Sequence, residues 1–145
     1  MSIEIREAQP GDEPLVAGLI RELAESSGEV SPITEAYVTT YFSFPGGHVL
    51  LAEEEGRAIG LLSYDIRPDL YHGASSGLIE ELVVLRSERG RGVGSALLTE
   101  VLRRLAAAGC VEVSVTTMPD NEGAQRLYRA HGLVDEALYL ETHLA

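Results

Sequence analysis

The spacing of apolar residues changes inside one stretch of the chain, residues 78–105, and the change predicts a strand followed by a loop and a helix. Residues 78–85 form an apolar run of Leu, Ile and Val that is interrupted only by Glu80 and Glu81. This is the composition of a buried strand. Residues 86–94 hold three arginines and three glycines, which predicts a loop.

The helix that follows begins near Val93, because from there the apolar residues recur every four positions until Gly109 ends the pattern. The first turn of a helix has backbone N–H groups without intrahelical partners, and the positive end of the helix dipole lies there. Arg89 and Arg91 in the loop add forked donors that match phosphate oxygens. Strand, loop and helix together favour a phosphate-binding site over a solvated basic loop.

Apolar periodicity elsewhere in the chain predicts further strands and helices. The other predicted strands are residues 3–7, 48–53, 58–66 and 111–117, with one or two closing strands in 133–144. The other predicted helices begin after Asp12, at the Ser31-Pro32 pair, and after the loop 119–122, and a long polar connection is predicted over 67–77. This uneven alternation predicts an α/β fold, of the α+β type with a mixed sheet, in one domain spanning residues 1–145.

Two familiar phosphate-binding motifs do not fit the loop. A P-loop requires a lysine, and the chain contains none. A dinucleotide-binding turn requires the spacing G-x-G-x-x-G, whereas the glycines here are Gly90, Gly92 and Gly94. Glu112 lies near the distance at which that fold places an acidic residue, but it falls inside a predicted strand. A dinucleotide-binding oxidoreductase is therefore the less favoured alternative.

Two segments resemble motifs of the GCN5-related N-acetyltransferase (GNAT) family. RGRGVG at residues 89–94 resembles the signature R/Q-x-x-G-x-G/A of that family, and NEGAQRLY at residues 121–128 resembles its N-x-x-A-x-x-L/F-Y segment. HGL at residues 131–133 is similar to the x-G-F that usually follows. The two motifs and their spacing cover about residues 78–134, and together they are far more specific than either alone.

The resemblance implies a GNAT fold, in which the central strand and the next one splay apart, and it implies acetyl-CoA as donor. The pyrophosphate would lie on the Arg/Gly loop, and the backbone at the end of the central strand would bind the pantetheine arm. By position in the motifs, the cofactor-binding residues would be Leu82, Val83, Val84, Arg89, Gly90, Arg91, Gly92, Val93, Gly94, Ser95 and Asn121.

Three residues are candidates for catalysis. An alkyl amine is protonated at neutral pH and must lose a proton before it can attack a thioester, and a carboxylate can accept that proton. Glu80 and Glu81 lie in an otherwise apolar strand, and because successive strand residues point to opposite faces, we expect one of them to face the cleft. The resemblance favours Glu80 as the base, with Glu81 binding the positive charge of the acceptor, and makes Tyr128 the acid. The alternatives are two surface carboxylates and a core tyrosine.

Composition narrows the function further. The formal net charge is −12, so the surface repels DNA and anionic membranes, and we expect neither as a partner. No apolar run approaches the length of a membrane span, the first residues lack the pattern of a signal peptide, and Cys110 is the only cysteine, which together indicate a cytoplasmic protein. The four histidines lack ligand spacing, so no metal is expected.

The sequence therefore predicts an acetyl-CoA-dependent N-acetyltransferase that works by direct attack in a ternary complex. The acidity of the chain favours a cationic acceptor, either a small amine or a basic peptide. Small amines, aminoglycosides, protein N-termini and lysines all remain possible acceptors, and the resemblance makes a homodimer plausible. A non-catalytic acyl-CoA-binding module is the alternative from another functional class.

Overall fold

The fold is a five-stranded mixed sheet with helices on both faces, and the computed structural model describes residues 2–144. The strands are β1 (Glu4–Glu7), β2 (Gly47–Glu54), β3 (Arg57–Asp69), β4 (Ala74–Val84) and β5 (Cys110–Val115). The helices are α1 (Glu13–Ser26), α2 (Glu35–Phe42), α3 (Val93–Ala107) and α4 (Glu122–Ala130), with one 3₁₀ turn at Arg86–Glu88. The spatial order follows the chain from β1 to β5, and only the β4–β5 pair is parallel. The predicted mixed α/β fold is confirmed.

The alternation of side chains along the strands divides the core between the two faces of the sheet. Leu50 and Leu51 are adjacent in β2 and both fully buried, yet they belong to different clusters. Leu51 packs with residues of α1 and α2, whereas Leu50 packs with α3 and with Tyr128 of α4. The sheet therefore has an α1/α2 face and an α3/α4 face, names that we keep below.

The predicted polar connection over residues 67–77 is wrong, because these residues extend β3 and β4 into a long antiparallel hairpin. Arg67 pairs with Ser76, and the turn is confined to residues 70–73. Asp69 stabilises the turn, since its carboxylate accepts bonds from the backbone N–H of His72 and from the hydroxyl of Ser76. The hairpin projects past most of the core, so its strands need few apolar residues and lack a hydrophobic signal in the sequence.

Two other predicted elements also differ. The helix α2 begins after Thr34, whose hydroxyl oxygen accepts the backbone N–H of Tyr37 at 3.1 Å, and not at Ser31 and Pro32. The hydroxyl of Ser31 instead accepts the backbone N–H of Ile33 in a local turn. The predicted closing strands are absent from residues 133–144, where the chain finds no partner strand and Leu138, Leu140 and Leu144 stay exposed. Strand formation needs such a partner as well as a suitable pattern.

No helix in the described part of the chain combines the length and the apolar character that crossing a bilayer would require.

Candidate active site

The gap between β4 and β5 is the feature around which the site is built. The two strands pair in parallel from Ser75 and Cys110 up to Ile79 and Val115, where β5 ends. β4 continues to Val84 with β3 on one side but without a β5 partner on the other. The edge of β4 over residues 80–84, which includes Leu82, Val83 and Val84, therefore borders an opening in the sheet where backbone groups can meet a ligand.

A β-bulge lies at the start of this opening. Leu62 of β3 pairs with Leu82 and Tyr64 pairs with Ile79, so Ser63 faces both Glu80 and Glu81. The backbone N–H of Glu81 donates to the Ser63 oxygen at 3.0 Å, and the Ser63 hydroxyl donates to the Glu81 carboxylate. An inserted residue changes which face the following side chains take.

Because of the bulge, both glutamates line the same groove on the α1/α2 face, which differs from the expectation that only one would face the cleft. The groove measures about 360 Å³. Its acidic end is formed by Asp65, Glu80 and Glu81, and its opposite wall is formed by aromatic and aliphatic side chains of α1, α2 and the loop after α2. Tyr41 of that wall donates from its hydroxyl to the backbone carbonyl of His48 at 3.4 Å.

Two carboxylates of the groove, Glu80 and Asp65, have pKa values above the ordinary range. Partial burial raises the pKa of Glu80, and the nearby charges of Asp65 and Glu81 raise it further. Burial also raises the pKa of Asp65. The pKa of Tyr41 is raised to about 12, first by burial and then by the same three carboxylates. A raised carboxylate pKa suits a general base, because the group then holds an abstracted proton more firmly near neutral pH.

The N-terminus of α3 has free backbone donors. The first intrahelical bond runs from the N–H of Ala96 to the carbonyl of Gly92, so the N–H groups of Val93, Gly94 and Ser95 lack intrahelical partners. Gly92 precedes the helix with φ +83°, in the left-handed region that favours glycine, and contributes no capping side chain. These free N–H groups suit an anion such as a pyrophosphate.

Arg89 and Arg91, two of the three arginines in the loop, have different partners. Arg91 forms ion pairs with Glu54, at 2.6 Å, and with Glu88, both of which are nearly buried. These pairs hold the pKa of Glu54 below its ordinary value. Arg89 donates only from its Nε, to the carbonyl of Val84 at 3.1 Å, and this contact holds its guanidinium beside the end of β4. Of these two arginines, only Arg89 has terminal nitrogens without a carboxylate partner among the described contacts.

We therefore expect Arg89→Ala and Arg91→Ala to act differently. Arg89→Ala should weaken acetyl-CoA binding by about 1.5–3 kcal/mol, the contribution of a charge-assisted hydrogen bond. Arg91→Ala should mainly lower the free energy of unfolding, because Glu54 and Glu88 lose their shared cation. Calorimetric titration and urea unfolding of both variants test this. Wild-type affinity in a folded Arg89→Ala variant would contradict the phosphate role of Arg89.

The helix α4 contributes Asn121 and Tyr128. The Asn121 side-chain oxygen caps the helix by accepting the N–H of Ala124 at 3.1 Å, which leaves its amide nitrogen available. Tyr128 is buried on the α3/α4 face, and burial raises the pKa of its hydroxyl. No hydrogen bond of that hydroxyl occurs in the described part of the chain. The raised pKa keeps this hydroxyl protonated near neutral pH, so that it has a proton to donate.

A contact that the sequence did not predict joins α4 to the loop. The Leu127 carbonyl can only accept a hydrogen bond, so the Nδ1–H of His131 donates to it at 3.0 Å. The Nε2 atom of His131 is then left to accept a bond from the Ser95 hydroxyl at 3.1 Å. A Cβ on Gly94 would lie 3.2 Å from the Leu127 side chain. A side chain at this position would displace Leu127 by a few tenths of an ångström, so the third glycine of the loop favours the close packing of α3 against α4.

Sequence reasoning missed Ser63, Tyr41, Glu54, Glu88 and the Ser95–His131 pair. Ser63 and Tyr41 carry no motif, and only the fold brings them beside the glutamates. Glu54 is 37 positions from Arg91. The one usable signal was an unpaired acidic residue, Glu88, inside an arginine-rich loop.

Comparison with known proteins agrees with this geometry. Residues 17–133 match the profile of the acetyltransferase (GNAT) family. The aminoalkylphosphonate N-acetyltransferase of Salmonella typhimurium is 30% identical over 129 residues, which cover 89% of this chain and 83% of that protein. The L-2,4-diaminobutyric acid acetyltransferase of Nocardia farcinica is 34% identical over 95 residues, and the match spans 66% of this chain but only about half of that protein (47%).

Solved structures support the fold. An aminoglycoside acetyltransferase from an uncultured soil metagenomic sample superposes with a TM-score of 0.86 at 23% identity, with all of both chains covered. A putative acetyltransferase from Agrobacterium tumefaciens gives a TM-score of 0.87 at 24% identity, over 97% of this chain and 99% of that one. The matched profile and the aminoalkylphosphonate N-acetyltransferase relative, which covers 89% of this chain, establish that the chain belongs to the acetyltransferase (GNAT) family and is an N-acetyltransferase.

Proposed function

We propose that this protein transfers the acetyl group of acetyl-CoA to a cationic primary amine, by direct attack within a ternary complex. The observation that carries the proposal is the opening beside residues 80–84 of β4. It lies between a loop built for an anion, at the start of α3, and a groove with three carboxylates on the α1/α2 face. A donor with phosphates and an acceptor with an ammonium group would therefore meet at this opening.

The donor would bind along the loop and the open edge of β4. The free N–H groups of Val93, Gly94 and Ser95 and the guanidinium of Arg89 would hold the pyrophosphate. The backbone of Leu82 to Val84 would bind the pantetheine arm as an added strand does. The amide nitrogen of Asn121 is available for a further bond to the arm. Arg91 would contribute its positive charge and would hold the loop in shape through Glu54 and Glu88.

The proposed base, Glu80, lies on the α1/α2 face of the sheet and the proposed acid, Tyr128, on the α3/α4 face. Glu80, directly or through a water, would accept a proton from the ammonium group, and the freed lone pair would attack the thioester carbonyl carbon. The new C–N bond forms, the C–S bond breaks, and the CoA sulfur receives a proton from Tyr128. The second proton, which the nitrogen loses as it becomes an amide, would return to the Tyr128 oxygen through water, and Glu80 would release the first proton to solvent. Glu81, held by Ser63, would bind the positive charge of the acceptor.

Direct attack is favoured over an acetyl-enzyme intermediate. Cys110 lies at the first residue of β5, beside Ser75, at the end of the strand pair away from the opening. Burial raises the pKa of its thiol, which keeps it protonated and weakly nucleophilic. The cysteine therefore lacks both the position and the activation that a covalent route requires.

An acceptor screen tests the proposed function. Purified protein is incubated with acetyl-CoA and a panel of amines, and free-thiol release is followed. We expect release with at least one amine and a higher kcat/KM for cationic than for neutral amines of similar size, with a difference that salt reduces. Tight acetyl-CoA binding without thiol release for any amine would instead support a non-catalytic acyl-CoA-binding module. A preference for neutral amines at both low and high salt would contradict the cationic acceptor.

A further inference from the structure

The acceptor groove has an unequal lining. Its walls are built from Val16 and Ile20 of α1, Ile33, Val38 of α2, and Val49 and Leu61 of the sheet. The aromatic rings of Tyr37, Tyr41 and Phe44 complete this wall, and Tyr37 and Phe44 remain 60% and 54% exposed. All of the charge is at the other end, on Asp65, Glu80 and Glu81. An occupant that matches this lining has an apolar body and a cationic end.

No arginine, lysine or histidine is among the described residues that line the groove. The charges of Arg67 and His48 lower the pKa of Asp65, and the charge of Arg67 also lowers the pKa of Glu80. Arg67 is exposed two positions beyond Asp65, towards the hairpin turn. The His48 ring stacks on Tyr64, with 5.0 Å between ring centroids, and contacts the Glu7 carboxylate at 2.5 Å. Neither residue provides a cation inside the groove.

We propose that the acceptor is an amine with an apolar or aromatic body and no anionic group. This inference rests on the proposed function and names the substrate class of the same site. The ammonium would lie among the three carboxylates and the body against the wall of Tyr41 and Phe44. An acceptor carboxylate or phosphonate would lose its water next to like charges, without a partner to replace that water.

The proposal separates this chain from the substrates named for its relatives. 2,4-Diaminobutyric acid carries a carboxylate and an aminoalkylphosphonate carries a phosphonate, and each would need a cation in its binding site. The groove here lacks one in its described lining. Identity of 30–34% is compatible with such a difference in specificity, because specificity depends on a few groove residues and on repulsion as much as on attraction.

Matched pairs of amines test the proposal. L-Phenylalaninol and L-phenylalanine differ mainly in the carboxylate, and 1,3-diaminopropane is 2,4-diaminobutyric acid without its carboxylate. We expect kcat/KM for the member without a carboxylate to exceed that for the acid at least about tenfold in each pair, because like charges repel strongly in a partly buried site. We also expect 2-phenylethylamine to exceed ethylamine, since the apolar wall would bind the ring.

Two variants make the test specific to the groove. Asp65→Asn is a nearly isosteric change at a side chain for which no hydrogen bond is described. It should reduce the ratio of kcat/KM for phenylalaninol to kcat/KM for phenylalanine. Arg67→Gln, the control, should leave kcat/KM for phenylalaninol unchanged when it is measured at a pH above the acid limb of the profile, because the charge of Arg67 acts on the pKa of Glu80. If the wild type turns over the acids as well as or better than their partners, and Arg67→Gln loses this activity, the inference is wrong and Arg67 is the anion partner. The proposed function would still stand in that case. Absence of thiol release with every amine, despite acetyl-CoA binding, would instead overturn the proposed function.

Discussion

Replacing Tyr128 by phenylalanine is expected to lower kcat roughly 10²–10⁴-fold, the usual contribution of a positioned general acid. The substitution keeps the ring, which fills the core between α4 and α3, and deletes a hydroxyl for which the described contacts give no hydrogen-bond partner. The fold and acetyl-CoA affinity should therefore change little. The remaining turnover should rely on water to protonate the CoA thiolate.

The measurements are single-turnover thiol release and calorimetric titration with acetyl-CoA, so that chemistry is separated from product release. Tyr64→Phe provides a matched control, because Tyr64 is buried on the same face of the sheet and has no proposed role in the chemistry. Equal rates for Tyr128→Phe and Tyr64→Phe would return Tyr128 to the role of a core aromatic residue.

The strand-loop-helix unit could be predicted from the sequence because its signal is local. A nearly continuous apolar run precedes the loop, an apolar pattern of period four follows it, and the glycines and arginines between them are close together in the chain. The structure confirms the strand up to Val84 and the helix from Val93. The division of the core between two faces follows from the same periodicities.

The shape of the groove could not be predicted, because it depends on contacts between distant segments. The bulge that brings Glu80 and Glu81 to one face is a property of the pairing with Ser63, 18 positions before Glu81 in the chain. Strict alternation along an isolated strand predicts opposite faces, and only the partner strand reveals the inserted residue. The ion pair of Arg91 with Glu54 could not be predicted either, because it also joins distant segments of the chain.

The closing strands show the opposite error. Residues 133–144 contain the apolar run ALYL at 137–140, yet Leu138 and Leu140 are 88% and 86% exposed and the segment pairs with no strand in the described part of the chain. An apolar run is compatible with a strand but does not supply an edge for it. The sequence therefore indicated a local preference for a strand, but it did not indicate whether a partner strand is available.

Replacing Glu80 by glutamine is expected to lower kcat by roughly 10²–10⁴-fold, as the loss of a general base does. Burial, Asp65 and Glu81 raise the pKa of Glu80, and the base must be ionised to accept a proton, so wild-type kcat/KM should fall as the pH drops through that raised value. Without the carboxylate, the rate should follow the free-amine fraction and rise towards the amine pKa of about 10. The pH profile should therefore move upward.

Two further variants assign the roles of the carboxylates. Glu81→Gln should raise KM for cationic acceptors more than it lowers kcat, and the reverse pattern for the two glutamates would make Glu81 the base. Asp65→Asn removes a negative charge that raises the pKa of Glu80, so the acid limb of the kcat/KM profile should shift to lower pH. An acid limb that stays in place in Asp65→Asn would mean that the titrating base does not face Asp65, and Glu80 would lose its proposed role.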